Sequence, residues 1–523
     1  MTDARPCRTR FPALLPLCAA ALVSACSIGP DYRRPAAPTP EHYKELGDWK
    51  PIAPKPAASD APWWSIYGDP ELDRLERQVS ISNESLKASA ANYAQALEIV
   101  NESRAGYFPT LTAGLSAQRA PTTSSRVAVI PGNPPSLSVT TAHSVANEVS
   151  ASVGASWAPD IWGKIRRTVE NSVANAQASA ADLAAARLSL QSTLATDYFS
   201  LRVDDELTHL YEETVKAYQE TLDITRNQFD AGTAAETDVI TAQTQLQGAQ
   251  ASLIGVGVQR AQLEHAIAVL IGKTPDQLTI APAPLNRDVP VAPVGMPSTL
   301  LERRPDIAAA ERAAAAASAE IGVATAAYFP SITLAGSFGY TGPALGGLFK
   351  VADEVWSVGP QVAETLFDGG LRHAQVAAAR AAYDSSVASY RQTVLAAFQQ
   401  VEDELAALRI LEKQAEIQQL AVASAREAVK LTVYQYEAGT VAYTSVVTVQ
   451  AIALTDEQNL LSTLSSRLSA SVALVAALGG GWDSTQIAEG AGERAATPSA
   501  AAQTPAQVTA KTTATASAPS AAP

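Results

Sequence analysis

The sequence is 523 residues long, with 38 Lys and Arg against 52 Asp and Glu, a formal net charge of −14 and 47% hydrophobic residues. That acid surplus excludes a nucleic-acid partner, which would need Lys and Arg to neutralise phosphates. Two of the three cysteines, Cys7 and Cys18, fall within the first 25 residues, so the rest of the chain can build neither a disulfide framework nor a cysteine metal site.

Residues 1–25 read as a secretory leader. Arg5, Arg8 and Arg10 form a basic start, and Phe11 to Val23 is an apolar run too short to span a bilayer. The leader ends in Val23-Ser24-Ala25-Cys26, which resembles the bacterial lipobox. The resemblance implies a diacylglycerol and an N-acyl chain on Cys26; the alternative is a chance cysteine beside an ordinary cleavage site. Ser27 in the next position resembles lipoproteins sorted to the outer membrane.

Residues 26–69 form a lipid anchor and an extended, proline-rich N-terminal segment that ends at Trp63-Trp64 and Tyr67-Gly68-Asp69-Pro70. Asp69 suits an N-cap and Pro70 the first helical position. From Glu71 to about Arg104 the apolar residues Leu72, Leu75, Val79, Leu86, Tyr93, Leu97 and Val100 recur at helical spacing. Tyr107-Phe108-Pro109 breaks that pattern. Leu111, Ala113, Leu115 and Ala117 then alternate with small polar residues, as do Val145 to Trp157 beyond a loop that takes in Pro121, Pro131, Pro134 and Pro135. Alternation with one apolar and one small polar face is β-barrel-like, although taken alone it also fits a soluble half-buried hairpin.

Asp160 to Phe229 is helical without a proline, a rod on the order of 100 Å that suits coiled-coil packing and not a globular core. A turn at Asp230-Ala231-Gly232-Thr233 sends the chain back until Ile271-Gly272. The best later apolar window, Ala251 to Ile271, holds Arg260, Glu264 and His265, so no transmembrane helix is expected. Any membrane crossing must then use closed β-structure.

After the proline-rich linker 273–298 the pattern repeats. The first unit spans 70–272 and the second 299–482, with 483–523 an Ala, Thr and Pro-rich tail expected to be disordered. Tyr328-Phe329-Pro330 echoes Tyr107-Phe108-Pro109, and Ile332 to Phe338 and Trp356 to Val362 alternate as strands. Asp368 to Leu478 forms a second long hairpin turning at Glu437-Ala438-Gly439-Thr440, with Gly439 lying 207 positions after Gly232. Each half thus offers one β-hairpin. Four strands cannot close a barrel and open edges are not tolerated in lipid, so several chains must associate.

Leu300-Leu301-Glu302-Arg303-Arg304-Pro305-Asp306-Ile307, Ala310-Glu311, Ile321-Gly322 and Phe329-Pro330-Ser331 resemble the signature of TolC-like outer-membrane efflux factors of the OprM/NodT lipoprotein type. Asp160-Ile161-Trp162-Gly163-Lys164 and Ala477-Leu478-Gly479-Gly480-Gly481-Trp482 agree with it. The resemblance runs from Cys26 to about Trp482. It implies an α+β membrane protein, a homotrimer whose chains each give four strands to a shared 12-stranded outer-membrane β-barrel and two long helical hairpins to a periplasmic α-barrel. Its implied partners are outer-membrane lipid, a periplasmic adaptor (membrane fusion protein) and an inner-membrane resistance-nodulation-division pump.

The resemblance also places function at the hairpin tips. Arg226, Gly232, Thr233, Tyr436, Gly439 and Thr440 are the expected adaptor-docking residues, although each glycine taken alone is equally a simple turn. Where the family often carries acids just beyond the second tip, this chain has Ser445 and Thr448. The expected periplasmic gate is therefore Asp238 with Thr444, Ser445 and Thr448, less acidic than usual, or else Asp238 merely caps a helix. Asp204-Asp205-Glu206 and Glu402-Asp403-Glu404 read as solvated helix faces. No phosphate loop, dinucleotide fingerprint or histidine metal spacing is found, so no enzyme and no further cofactor are expected. The rival readings are the same fold serving metal-ion efflux or type I protein secretion, a periplasmic adaptor, and a structural coiled-coil lipoprotein.

Overall fold

The structure, a computed structural model, describes residues 28–46, 62–132, 134–290 and 297–487. Cys26, the whole leader and most of the tail lie outside these. The first helix, α1 (Pro70–Ser82), starts as its sequence dictates: the Asp69 carboxylate accepts from the amides of Glu71 and Leu72 at 2.9 and 3.1 Å. The expected continuous helix to Arg104 is interrupted. Asn83 adopts an extended backbone, accepts from the Leu86 amide at 2.9 Å to cap α2 (Glu84–Ala105), and donates to the Leu270 carbonyl at 2.8 Å. Apolar spacing passes unbroken through such a residue, which is why periodicity alone overlooks it.

Two pairs of helices dominate, α3 (Lys164–Asp230) with α4 (Glu236–Leu270), and α6 (Leu371–Glu437) with α7 (Tyr443–Ala477). Both long helices have 67 residues and both return helices 35, so the duplication holds to the residue. Between the pairs lies α5 (Pro305–Ala326). Asp160 and Asp368 precede the long helices instead of opening them. Asp160 accepts from the amides of Ile165 and Arg166, and Asp368 from those of Gly370 and Arg372.

Of the apolar clusters that hold the helices together, two occupy matching levels of the two hairpins and a third lies towards the tips. One packs Leu72, Leu75 and Val79 of α1 on Leu194, Tyr198 and Leu201 of α3. A second joins Tyr43, Ile307, Tyr390, Val394 and Leu474. The third, towards the tips, holds Tyr218, Leu222, Leu246, Tyr436, Tyr443 and Val446. Helix α7 is, by length and composition, apolar enough to cross a membrane, contrary to the expectation from sequence. Its best window has mean hydropathy 1.4 and is 56% buried inside the protein, where α3 and α6 account for its apolar character.

The strands β1 (Thr110–Ile130), β2 (Ser136–Trp157), β3 (Ser331–Gly342) and β4 (Glu354–Ala363) form one antiparallel sheet in sequence order. The first hairpin is much longer than its alternation suggested. Pro121, expected in a loop, lies inside β1 opposite Val145, which an edge strand tolerates because its outer side needs no N–H. β2 pairs with β3 only over Val149–Trp157, so the rest of the β1–β2 ribbon projects beyond the sheet.

The acidic runs are only partly solvated faces: Asp403 is exposed, but most of their other members are engaged or buried. Asp205 is buried between Arg202 and Arg260, at 2.9 and 2.7 Å. Glu206 accepts from the Leu285 amide and from Arg287, fixing the linker. Asp204 is also buried, and burial first, then repulsion by Asp205, pushes its pKa up to about 6. Glu402 accepts from the amides of Lys44 and Glu45 at 2.8 and 2.9 Å, fixing the N-terminal segment on α6. Sequence cannot show these roles, because the peptides that use the acids are remote in the chain.

Candidate functional site: the membrane sheet and the hairpin tips

The register builds a sheet with two unlike faces. One carries rows such as Ala113, Val153, Phe338 and Trp356, and Leu111, Ala155, Gly336 and Val358. The other carries Thr112, Gly154, Ser337 and Ser357, with Ser116 to Ser150 and Ser337 to Ser357 hydroxyl bonds of 2.8 and 2.9 Å. Leu111, Leu115, Val153, Phe338, Trp356 and Val358 are all exposed. At 12 and 10 residues, β3 and β4 have the length of strands that cross a bilayer at a tilt, about 9–11 residues. Among the described residues no strand covers the outer edge of β1 or β4. Where the sheet meets the helices lies an aromatic belt. Trp157 donates to the Tyr107 carbonyl at 2.9 Å, Trp162 donates to the Pro330 carbonyl at 2.7 Å, and Trp162 stacks on Phe329 at 5.0 Å.

At the other end the two tips share one backbone solution. Gly232 and Gly439 have φ of 75° and 69°, in the left-handed region that lets the chain reverse. Thr233 returns to the Gln228 carbonyl through its amide and hydroxyl at 2.8 and 2.9 Å, and Thr440 returns to the Gln435 carbonyl at 2.9 Å through both. A Cβ on either glycine would meet nothing within 4 Å. Backbone conformation, not space, requires glycine there.

The expected docking residues divide. Gly232, Thr233, Gly439 and Thr440 are exposed at the tips, and Arg226 is half-exposed, 4.0 Å from Asp223. Tyr436 is not a surface residue. It is 5% exposed, bonds Thr225 Oγ1 at 3.2 Å and lies 5.4 Å from the Tyr443 ring. Its carbonyl accepts from Gln228 at 3.2 Å, and nearby Gln450 donates to Thr221 at 3.1 Å. Tyr436 therefore fastens the two hairpins together. An aromatic near a turn gives no sequence signal to separate these roles.

The expected gate residues lie on two helices of the chain, α4 and α7. Thr444, Ser445 and Thr448 are exposed on α7, away from the face that buries Tyr443, Val446 and Gln450. Thr448 bonds only the Thr444 carbonyl, at 2.8 Å. Asp238, in the first turn of α4, is half-buried beside the tyrosine pair. Burial, then Tyr436, Tyr218 and the Asp238 charge, push the Tyr443 phenol up to about 12. The pattern of the outer membrane efflux protein family matches residues 75–273 and 296–480, once in each half.

The chain belongs to this family. It is 31% identical over 486 residues to the solvent efflux pump outer membrane protein SrpC of Pseudomonas putida, covering 90% of this chain and 99% of that one. The solved outer-membrane channel OprN superposes with a TM-score of 0.76 at 28% identity, over 87% of this chain and 100% of that one. The open state of the Neisseria gonorrhoeae MtrE outer membrane channel gives 0.74 at 27% identity, over 87% and 98%. This outer membrane efflux protein thus sits in the outer membrane with its helical hairpins in the periplasm.

Proposed function

We propose that three copies of this chain form the outer-membrane exit duct of a tripartite efflux assembly. The observation that carries the reading is the open four-stranded sheet, apolar on one face and Ser/Thr/Gly-lined on the other, with both edges bare. Pairing β1 of each copy with β4 of the next closes about twelve strands, removing the edges that lipid does not tolerate. The Ser/Thr face then lines the lumen, and the hairpins continue the tube into the periplasm. Lipid on Cys26 holds each copy to the membrane. Passage is passive and needs no catalysis by this chain; the inner-membrane resistance-nodulation-division pump selects the cargo.

The tips engage the periplasmic adaptor through Gly232, Thr233, Gly439, Thr440 and Arg226, with Tyr436 holding the paired hairpins behind them. Asp238, Thr444, Ser445 and Thr448 line the aperture as rings generated by the three-fold axis. Replacing both tip glycines by valine places a branched side chain at positive φ and blunts both tips. Efflux-dependent resistance should disappear while heat-labile trimers persist in purified outer membranes. Unchanged resistance with intact trimers would overturn the docking assignment, and a monomeric protein in native membranes would overturn the duct.

A further inference from the structure

The two β-hairpins repeat each other bond for bond, at two different offsets. At the entry to β1, the Tyr107 and Phe108 amides turn back to the Arg104 and Ala105 carbonyls; at the entry to β3, 221 positions on, those of Tyr328 and Phe329 turn back to Thr325 and Ala326. After β2 and β4, Gly163 and Gly370, 207 positions apart, take positive φ of 79° and 93° just before the long helices. Within the sheet the repeat holds to single hydroxyls. Thr110 Oγ1 donates to the Ser156 carbonyl and Ser331 Oγ to that of Ala363. The Ser116–Ser150 hydroxyl pair recurs as Ser337–Ser357. Adding 221 thus maps β1 onto β3, and adding 207 maps β2 onto β4; the offsets differ because the first hairpin is longer.

The chain itself shows one junction between hairpins. There β2 lies against β3, from Val149 opposite Gly342 to Trp157 opposite Leu334. In the three-copy duct proposed above, on which this inference rests, the other junction is β4 against β1 of the next copy. Hairpins that match in register and in side-chain bonds can meet in the same way all round the ring.

We propose that β4 pairs with β1 of the next copy in the register that β2 takes with β3. Carried over by the two offsets, Trp356 lies opposite Pro121 of the next copy, Ser357 opposite Ala120, Val358 opposite Arg119, and so on down to Ala363 opposite Gly114. The faces stay in step. Ser357 and Gly359 of the hydroxyl face meet Ala120 and Gln118, which share a face with Ser116, whereas a slip of one residue would turn apolar side chains inward.

Pro121 supplies a second reason. The pairing of β2 with β3 ends at Gly342, and the residue of β1 that matches Gly342 is Pro121. A proline has no N–H with which to extend a ladder. In this register it stands at the last pair and costs at most one terminal bond. Sliding β4 two or four residues further along β1 would place it inside the ladder. Beyond Pro121, Thr122 to Ile130 continue against β2 alone.

Disulfide trapping in outer membranes tests the register on the full-length protein. Beyond residue 25 the sequence has one cysteine, Cys26, and single variants control for it. Directly opposed residues of an antiparallel pair lie within disulfide reach, and diagonal ones two residues off do not. Ser357→Cys with Ala120→Cys, and Gln361→Cys with Ser116→Cys, should link neighbouring copies about tenfold faster on mild oxidation than Ser357→Cys with Gln118→Cys or with Thr122→Cys. All these positions share the hydroxyl face, so an oxidant in the lumen reaches each alike. Boiled, unreduced samples should then run as covalent dimers and trimers, and reduction should return monomers. Faster linkage of either offset pair would overturn the register and leave the three-copy duct standing. Heat-labile trimers with no linkage of any pair would overturn the pairing of β4 with β1. Monomers before boiling in the unmodified protein would overturn the duct itself, and the register with it.

Discussion

Glu76 on α1 is fully buried, and neither carboxylate oxygen has a partner. Burial alone pushes its pKa up to about 9 from an ordinary 4.5, so the folded protein holds a proton there that the unfolded chain releases. Between those two values the folded state binds more protons than the unfolded one, and stability must fall as pH rises. The slope is about 1.4 kcal/mol per pH unit per chain, or about 3 kcal/mol between pH 6 and pH 8. Below about pH 4.5 the penalty vanishes, and above about 9 it is constant. Glu76→Met keeps an unbranched apolar stem of similar volume and removes the titration. Guanidinium unfolding of the detergent-solubilised protein, followed by tryptophan fluorescence at pH 6, 7 and 8, should show the variant gaining on the unmodified protein by about that amount. Parallel pH profiles would refute the reasoning, because they would mean that Glu76 finds an acceptor or water when the protein is assembled.

Three further outcomes follow from the geometry. Asn83→Ala removes both the cap of α2 and the bond to the Leu270 carbonyl, and should cost about 1–2 kcal/mol in the same unfolding assay. Asp205→Ala leaves Arg202 and Arg260 without their shared carboxylate and should cost about 3 kcal/mol or more. Limited proteolysis within 278–285 should appear in that variant and not in the parent. Asp238→Asn should reduce the cation preference of channels in planar bilayers at low salt, with little effect at high salt, where charges are screened. An unchanged preference would remove Asp238 from the gate.

Much of this architecture is legible from residues alone, because fixed spacings carry it. Gly232 and Gly439 announce the duplication, and the alternations around Leu111 and Ile332 announce strands. What escapes is whatever depends on a partner distant in sequence. Asp205 and Glu402 look like solvated charges until 281–285 and 44–45 are laid against them. Tyr436 looks like a surface aromatic until Thr225, 211 positions away, takes its hydroxyl bond. Asn83 sits in an unbroken apolar rhythm and acts through its backbone and side-chain amide, which rhythm does not encode. Pro121 reads as a loop residue because a proline in a strand is acceptable only at an edge, and which strand is the edge is a tertiary fact.

The two tips match in backbone and differ in chemistry, and that difference constrains any gate built from them. At the positions 207 apart, Glu236 corresponds to Tyr443, Asp238 to Ser445, and Phe229 to Tyr436. The second hairpin thus supplies the buried tyrosine pair, while the first supplies the carboxylates beside it. In a three-fold tube the aperture would carry an acid ring from alternate hairpins only, about three Asp238 charges and not six. Doubling the spacing between like charges lowers their mutual repulsion roughly in proportion to distance, and further by screening. If Asp238 lines the aperture as proposed, closing it needs less opposing force from helix packing, and the hydroxyls of the proposed gate residues Thr444, Ser445 and Thr448 would add no charge.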